Sequence, residues 1–332
     1  MERVKNMKRN ILILFADPSF EISEREWEPD YFRKVLGKED VNIHIALYKD
    51  VYFFLDSSGD RRFFVNGKEL AMDESLAFVW FRTRGERSDM MYDMMPFMNG
   101  LAYLLKKKGI MFFDEELGDM VSINKFSDKI ILSAENFQLP KTFLITNSKT
   151  VDQDWILREL GFPIVLKEKA YGSRGDGVSL LKNRAEFDRY FAEERTFFIL
   201  QEFIPNDVEY RYVISDYKLR RVEQRWHNES EEFRNNSCLG AREETIDLAT
   251  IEPFIREESE RSARVFKRDL CGLDIIKNNG KYYFVEVNHT PGFDNPDKAD
   301  PDFYKVNVFS VNVVLEDIIG HIRKHAEKTG QK

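Results

Sequence analysis

Short apolar runs that stop at polar or turn residues recur along the first third of the chain. Ile11–Ala16 is apolar throughout and ends at Asp17-Pro18, as a buried strand does when its carboxyl end opens onto a loop. Val41–Leu47 and Leu76–Phe81 repeat this pattern. Asp89–Lys108 has helical spacing and ends in lysines followed by a glycine, which is typical of a helix C-terminus. Alternating strands and helices predict an α/β layer up to about residue 115.

A hairpin insertion is predicted between the second and third of these strands. Tyr52–Leu55 and Arg61–Val65 are rich in aromatic and β-branched residues, and they flank the turn-forming segment Ser57-Ser58-Gly59. The insertion interrupts the α/β layer without changing its class.

The remainder of the chain alternates between helical and strand patterns. The predicted helices are 119–136, 152–160 with Gly161 as its cap, 185–194, 252–270 and 307–328. The predicted strands are 141–145, 164–167, 197–203, 209–214 and 219–226, followed by a hairpin from Gly272 to Asn288. Since neither a long linker nor a repeat of 20 to 50 residues interrupts the pattern, we predict packed domains over 1–118, 119–200 and 201–332.

Composition restricts the class of protein. Hydrophobic residues make up 42% and charged residues 33% of the 332, which excludes wholesale disorder and fibrous proteins. The formal net charge of −8 argues against a nucleic-acid scaffold. The apolar run behind the basic start is too short for a signal sequence, and no window resembles a membrane span. Cys238 and Cys271 lack metal or disulfide spacing, so we expect a cytosolic protein with no membrane or nucleic-acid partner.

The glycine-rich run Gly172–Gly177 is the first candidate for chemistry. It fits neither the P-loop nor the dinucleotide-binding fingerprint. Three glycines in six residues, preceded by Lys167 and Lys169, still describe a hairpin whose backbone N–H groups could close over phosphates. An ordinary surface hairpin with a permissive turn explains the run equally well.

The end of the last predicted strand is the second candidate. By a period of two, Tyr282, Phe284, Glu286 and Asn288 share one face, so a carboxylate and an amide project side by side. Oxygen ligands of this kind suit Mg²⁺, which keeps water and takes few protein ligands. An amphipathic edge strand is the alternative interpretation.

The turn of this hairpin decides whether a second carboxylate, Asp274, can share the ion. A two-residue turn at Asn279-Gly280 would place Asp274 and Glu286 on opposite faces. A three-residue loop, Asn278–Gly280, pairs Asp274 with Phe284 and leaves it diagonal to Glu286 on one face. We therefore predict the three-residue loop, although Asn-Gly alone favours the shorter turn.

Other basic and polar residues are scattered along the chain, and each by itself is typical of a solvated surface. They are Lys125, Glu209, Arg211, Arg234 and Asn236. Their order and spacing change that interpretation.

Together these segments resemble the ATP-grasp superfamily, and most closely the RimK-type glutamate ligases. The segments, in order, are Asn124-Lys125, Leu139-Pro140, 162–167, the glycine-rich run, 201–204, 209–211, 233–236, 272–275, 285–288 and Pro291-Gly292. The resemblance covers about residues 120–320. It implies an ATP-grasp fold, of class α/β with α+β lobes, behind an N-terminal α/β pre-ATP-grasp domain.

The resemblance also implies a role for each matching residue. Lys125 and Lys167 would contact the phosphates of ATP, under Gly172, Ser173, Gly175 and Gly177. Gln201, Glu202, Phe203 and Ile204 would lie at the adenine, and Glu209 stands where the family has its acidic ribose contact, often Asp. Asp274, Glu286 and Asn288 would hold two Mg²⁺ ions, for which Mn²⁺ could substitute. Arg211, Arg234 and Asn236 would steady the transferred phosphoryl group and the substrate carboxylate.

The implied reaction is ligation through an acyl phosphate, in which a carboxylate attacks ATP and an amine or hydroxyl then displaces phosphate. The carboxylate would belong to a peptide or an amino acid. An ATP-grasp kinase that phosphorylates a small molecule, or a regulatory module without turnover, are the other hypotheses. The regulatory module is weakened because every expected phosphate and metal position holds a competent residue.

The acceptor is left open by these motifs, as is homo-oligomer formation. Phe78–Arg84 is loosely similar to the Trp-x-Arg-Arg segment of the graspetide ligases, which crosslink ribosomal peptides. A threonine separates the arginines here, and the metal strand ends differently from that group. A solvated basic loop is the other interpretation of Arg82, Arg84 and Arg87.

Overall fold

The structure of the protein is a computed structural model that describes most of the chain. The described residues are 8–15, 28–55, 57, 61–82, 88–119, 124–168, 177–206, 208–226, 242–289, 291 and 301–330. Side chains are described throughout these ranges except at 88–94, 301–310 and 329–330.

Strands and helices alternate along the described residues, as the pattern predicts. The strands are β1 Arg9–Phe15, β2 Val41–Leu47, β3 Val51–Leu55, β4 Arg61–Val65, β5 Lys68–Leu70, β6 Leu76–Phe81, β7 Met111–Phe112, β8 Thr142–Ile145, β9 Ile164–Lys167, β10 Val178–Leu181, β11 Phe198–Glu202, β12 Glu209–Ser215, β13 Lys218–Trp226, β14 Arg242–Ile246, β15 Leu270–Asn278 and β16 Lys281–Asn288. The α-helices are α1 Glu28–Leu36, α2 Ser88–Lys108, α3 Lys125–Ala134, α4 Gln153–Leu160, α5 Arg184–Phe191, α6 Pro253–Phe266 and α7 Pro301–Gly330.

The first sheet is parallel and has the strand order β2-β1-β6-β7. Leu12 and Leu14 of β1 belong to one core with α2, whereas Ile11 and Ile13 belong to a second core with α1 and α7. Helices therefore cover both faces, which is why the central strands β1 and β6 carry apolar residues on both faces rather than alternating. The predicted α/β layer is confirmed.

Helix α7 returns from the end of the chain to this first sheet. Leu315 and Ile318 pack in the same core as Ile13 and Trp80. The division into three domains stays a prediction. No helix within the described residues is both long enough and apolar enough to cross a membrane.

The predicted hairpin insertion is confirmed and carries one further strand. β3, β4 and β5 form an antiparallel sheet in that order. Phe63, Val65 and Leu70 on one face join the core beneath α2, while Tyr52 and Phe54 are exposed.

The central sheet is antiparallel, with the order β10-β9-β11-β8. Helices α4 and α5 cover it through Ile156 and Phe187. Asp152 caps α4 by accepting a hydrogen bond from the backbone N–H of Trp155, and Gly161 ends the helix at a φ of 65°. Lys167, at the end of β9, lines a cavity together with residues of the third sheet.

The third sheet is antiparallel and has the order β14-β13-β12-β15-β16. Alternate residues such as Tyr212, Leu273 and Ile275 pack in a core with α3 and α6. The side chains between them, including Arg211 and Asp274, therefore point to the opposite face.

Two helices differ most from their predicted limits at one end. Helix α3 begins at Lys125 rather than at Asp119 because Asn124 caps it, and Asp119 belongs to a separate 3₁₀ segment. Helix α6 ends at Phe266 because Lys267 adopts a left-handed φ of 53°, and Leu270 already belongs to β15.

Candidate active site

Three polar side chains of the last hairpin meet on the face of the third sheet that lies opposite the core formed with α3 and α6. Asp274 and Glu286 are cross-strand partners, and Asn288 lies one row further on, opposite Gly272. The Asn288 Nδ2 donates a hydrogen bond to Asp274 Oδ2 at 2.9 Å. The structure thus brings together the three residues that the sequence predicts as metal ligands.

The predicted three-residue loop is wrong. Asn279 and Gly280 form a two-residue turn with φ values of 49° and 75°, the left-handed pair that Asn-Gly favours. In that register Asp274 would face Val285. The ladder shifts between Asp274 and Ile275, so Val285 is an extra residue that forms a bulge. Asp274 consequently lies directly opposite Glu286, closer than the predicted diagonal.

The bulge also changes which residues share a face. The predicted single face of Tyr282, Phe284, Glu286 and Asn288 is wrong, because Phe284 is buried in the helix-covered core together with Val287. One extra residue inverts the alternation, so that Glu286 and Asn288 point to the opposite side.

Arg211 forms a largely buried ion pair with Asp274. The two residues are partners in the β12–β15 ladder, Arg211 Nη2 lies 3.0 Å from Asp274 Oδ2, and Arg211 Nε donates to Asp274 Oδ1. Burial by itself would lower the pKa of Arg211, but the carboxylate beside it raises the pKa instead. The ion pair thereby fixes the Arg211 guanidinium beside the Asp274 carboxylate.

Lys125 and Lys167 approach Glu286 from two other elements. Because Asn124 caps α3, Lys125 is the first helical residue, and its Nζ lies 3.6 Å from Glu286 Oε1. Lys167 ends β9 and is only 6% exposed. Both lysines and Glu286 line one cavity, between the central and third sheets.

This concentration of positive charge governs the titration of the cavity. Burial would raise the pKa of Glu286, but the neighbouring lysines outweigh that effect and the pKa is lowered. Burial lowers the pKa of Lys167 in spite of the attraction of Glu286. The cavity therefore holds an ionised Glu286 carboxylate beside lysine side chains, whose ammonium groups can attract a polyanion.

A third lysine in this cavity, Lys129, is missed by the sequence analysis. It lies one turn after Lys125 and is 5% exposed. Burial lowers its pKa to about 7, and Lys167 adds repulsion. Its Nζ donates to the backbone carbonyls of Phe284, at 3.3 Å, and of Val285. The spacing of four from Lys125 was the available signal, since it places both lysines on one helix face.

The residues predicted to contact adenine lie at the end of β11 and directly after it, and β11 lies between β9 and β8. Gln201 is buried and donates to Thr142 Oγ1 at 2.9 Å. Glu202 accepts a hydrogen bond from the backbone N–H of Lys141 at 3.0 Å. Phe203 and Ile204 continue the chain toward β12, and Ile204 is buried.

Glu209 begins β12, on the same face as Arg211. Burial raises its pKa to about 8, and the negative charge of Asp274 contributes. It is paired in the ladders with Ile276 and Arg225. This carboxyl group is therefore readily protonated and lies close to Asp274.

Several predicted site residues lie outside the described residues. They are Gly172, Ser173, Gly175, Arg234 and Asn236. Gly177 is described, at a φ of 68°, and its carbonyl accepts from the Glu168 backbone N–H at 2.8 Å, so the ends of the glycine-rich segment are joined as a hairpin.

Within the described residues, no group of three or more His, Cys, Asp and Glu side chains could hold a metal ion. The predicted ligand set has two carboxylates and one amide, which fits Mg²⁺ because this ion completes its shell with water and phosphate oxygens. Arg211 and the Asn288 amide engage the Asp274 carboxylate, so an ion there would compete with Arg211.

The interpretation of Arg82 as a solvated residue is wrong. Its side chain is fully buried and donates twice to the Glu28 carboxylate, at 2.8 and 2.7 Å. The pair joins the end of β6 to the start of α1. Arg84 and Arg87 lie outside the described residues.

A family model for the RimK-like ATP-grasp domain matches residues 122–302, more than half of the chain. The chain belongs to the RimK-like ATP-grasp family. This RimK-like protein is 25% identical over 222 residues to a probable alpha-L-glutamate ligase of Marinomonas sp. (strain MWYL1). The match covers 64% of this chain and 67% of that protein. The resemblance predicted from the motifs is confirmed.

A second relative is the ribosomal protein bS6–L-glutamate ligase of Escherichia coli O139:H28 (strain E24377A / ETEC), 28% identical over 194 residues. The match covers 55% of this RimK-like chain and 62% of that protein. The chain thus spans about two thirds or less of the curated relatives it matches.

Solved ATP-grasp ligases share the fold over nearly the whole chain. The ligase PsnB complexed with minimal precursor has a TM-score of 0.65 at 14% identity, covering 95% of this chain and 99% of that one. D-alanine–D-alanine ligase from Bacillus anthracis complexed with ATP has a TM-score of 0.63 at 17% identity, covering 97% and 100%. The predicted ATP-grasp fold is confirmed.

Proposed function

We propose that this chain is an ATP-dependent ligase that activates a carboxylate as an acyl phosphate and joins it to an amine or a hydroxyl. The observation that carries this proposal is the position of Glu286. Glu286 lies opposite Asp274, which forms an ion pair with Arg211, and it also lies beside Lys125. Glu286 thus lines a cavity together with lysines that attract phosphate oxygens, and it faces a second carboxylate with which it can attract a divalent cation.

Each residue of the site has a proposed role. Lys125 and Lys167 bind the phosphates of ATP, beneath the glycine-rich segment that includes Gly172, Ser173, Gly175 and Gly177. Gln201, Glu202, Phe203 and Ile204 contact adenine, and Glu209 contacts the ribose. Asp274, Glu286 and Asn288 hold Mg²⁺, as two ions, or Mn²⁺ in its place. Arg211, Arg234 and Asn236 orient the transferred phosphoryl group and the substrate carboxylate.

The residues stabilise charge rather than form a covalent bond with substrate. The substrate carboxylate attacks the γ-phosphorus of ATP, ADP leaves, and the amine or hydroxyl then displaces phosphate from the acyl group. Bound Mg²⁺ would neutralise the phosphate oxygens. Lys125, Lys167 and Arg211 supply the fixed positive charge around them, because they are held in place before the reaction by α3, β9 and β12.

The acceptor is proposed to be a peptide or a protein. Named ligases among the relatives support this choice, one of them acting on ribosomal protein bS6, and so does the precursor bound to PsnB. We further propose a cytosolic location, which the free, buried Cys271 is compatible with.

Phosphate release distinguishes the ligase from the alternative kinase. A ligase releases ADP and inorganic phosphate together when both substrates are present, whereas a kinase releases ADP and leaves the phosphate on its product. The protein would be incubated with ATP, Mg²⁺, L-glutamate and an acidic synthetic peptide. Intact mass of the peptide then identifies an added amino acid, or a loss of water from an internal crosslink. A peptide or amino acid that gains a phosphate would contradict the ligase proposal.

Gly272→Ala tests the position of Arg211. A Cβ at residue 272 would lie 3.1 Å from Arg211 Cδ and 3.2 Å from Nη1, so the Arg211 side chain must shift by a few tenths of an ångström. We expect ADP production to fall roughly tenfold or more, since small displacements in a site are costly. Gly320→Ala in α7, where a Cβ meets nothing within 4 Å, is the control. Equal activity of the two variants would show that Arg211 needs no such precise position.

A further inference from the structure

Strand β16 is the last strand in the order of the third sheet, so one edge of it has no strand partner among the described residues. Other elements satisfy its backbone groups there. The Phe284 N–H donates to the Gln138 carbonyl at 2.9 Å, and Arg268 Nη1 donates to the Val287 carbonyl at 3.3 Å. Lys129 donates to the carbonyls of Phe284 and Val285. The backbone on both sides of Glu286 is therefore held by buried cationic side chains.

The bulge at Val285 on this edge strand determines which residue of β16 faces Asp274. The Asn279-Gly280 turn by itself sets a register in which Val285, and not Glu286, faces Asp274. Only the extra residue corrects this register, and an extra residue leaves part of the ladder unpaired. The Val285 carbonyl at that position accepts from Lys129.

A buried lysine is costly unless its N–H groups are bonded, because burial removes the ammonium from water. Lys129 is 5% exposed, and the backbone carbonyls of the bulge supply the acceptors that offset this cost. The amine can donate these bonds in both of its protonation states. Helix α3, which begins at Lys125, is thereby joined to the strand that carries Glu286.

We propose that Lys129 is a positioning residue that stabilises the Val285 bulge and so places Glu286 opposite Asp274. This inference rests on the proposed function only where Glu286 is taken as a metal ligand. The placement of the bulge is a property of the fold and can be tested without any reaction. The competing role for Lys129 is direct contact with a phosphate, and the experiments must distinguish this role from the positioning of Glu286.

The first measurement is hydrogen exchange of the nucleotide-free protein. In Lys129→Met, peptides that cover residues 281–289 are expected to exchange at least about tenfold faster, while peptides of α6 keep their rates. Lys129→Gln retains N–H donors without the charge and is expected to lie closer to the wild type. Lys106→Met, on the exposed side of α2, is the matched control. Unchanged exchange of 281–289, or equal effects of Met and Gln, would overturn the proposal.

The second measurement separates metal positioning from phosphate binding. At saturating ATP, the Mg²⁺ concentration for half-maximal ADP production is expected to rise about tenfold in Lys129→Met, while the affinity for ATP in the presence of EDTA changes less than about threefold. The proposal would be overturned if the Mg²⁺ concentration for half-maximal ADP production in Lys129→Met stayed within about twofold of the wild-type value. A loss of about tenfold in the affinity of this variant for ATP without metal would also overturn it. If the wild type makes no ADP, the proposed function fails, and hydrogen exchange still decides the role of Lys129.

Discussion

Glu286→Gln is expected to abolish ADP production and to leave a folded protein. The substitution keeps the size of the side chain and removes the charge that would hold Mg²⁺ against the phosphates, so turnover should fall roughly a hundredfold or more. Glu286 is partly exposed and has no part in the helix-covered core, so its loss does not disturb packing. A coupled assay for ADP at saturating ATP and Mg²⁺, together with calorimetric unfolding, measures both effects.

The control is Glu244→Gln on β14, which removes the same charge from an exposed position outside the cavity. Asp274→Asn should be equally inactive but less stable, because it leaves Arg211 buried without its carboxylate partner, at a cost of about 3–5 kcal/mol. Turnover by Glu286→Gln within about threefold of the wild type would remove the metal-ligand assignment.

Lys167→Met is expected to weaken ATP binding at least about tenfold without lowering the melting temperature of the free protein. Burial lowers the pKa of Lys167, which means that the folded state disfavours its charged form when no nucleotide is bound. Removing the ammonium therefore relieves a cost in the free protein, so the melting temperature should be unchanged or higher. Calorimetric titration with ATP and a thermal scan measure the two quantities.

Lys182→Met, at an exposed position just beyond β10, is the matched control because it removes the same charge close to the same hairpin. It should bind ATP as the wild type does. If Lys167→Met also binds ATP unchanged, Lys167 serves the structure and not the nucleotide.

Much of the fold follows from local patterns in the sequence. The central strands β1 and β6 contain continuous apolar segments, Ile11–Phe15 and Leu76–Phe81, which parallel strands covered on both faces require. Asp152 and Gly161 mark the two ends of α4 because capping depends on nearby backbone groups. The order of the motifs was sufficient to predict the family, which the matching domain confirms.

Helix limits were predicted less well where a cap competes with an apolar pattern. The helical pattern of α3 extends back to Asp119 in the sequence, but the helix begins only after the Asn124 cap. In the same way, the pattern of α6 runs into β15, and the left-handed Lys267 ends the helix first. Hydrophobic spacing specifies a face of an element and does not specify where the element stops.

The sequence by itself predicted five residues that the structure brings together, namely two lysines, two carboxylates and an amide in a recognisable order. Only the tertiary structure decided how the carboxylates meet, because the register of β15 and β16 depends on a bulge that Lys129 contacts from another element. Arg268 likewise bonds to Glu116 and Asp128, which are 152 and 140 residues away. Local patterns carry no information about such distant partners, since burial and charge pairing are set by packing between elements.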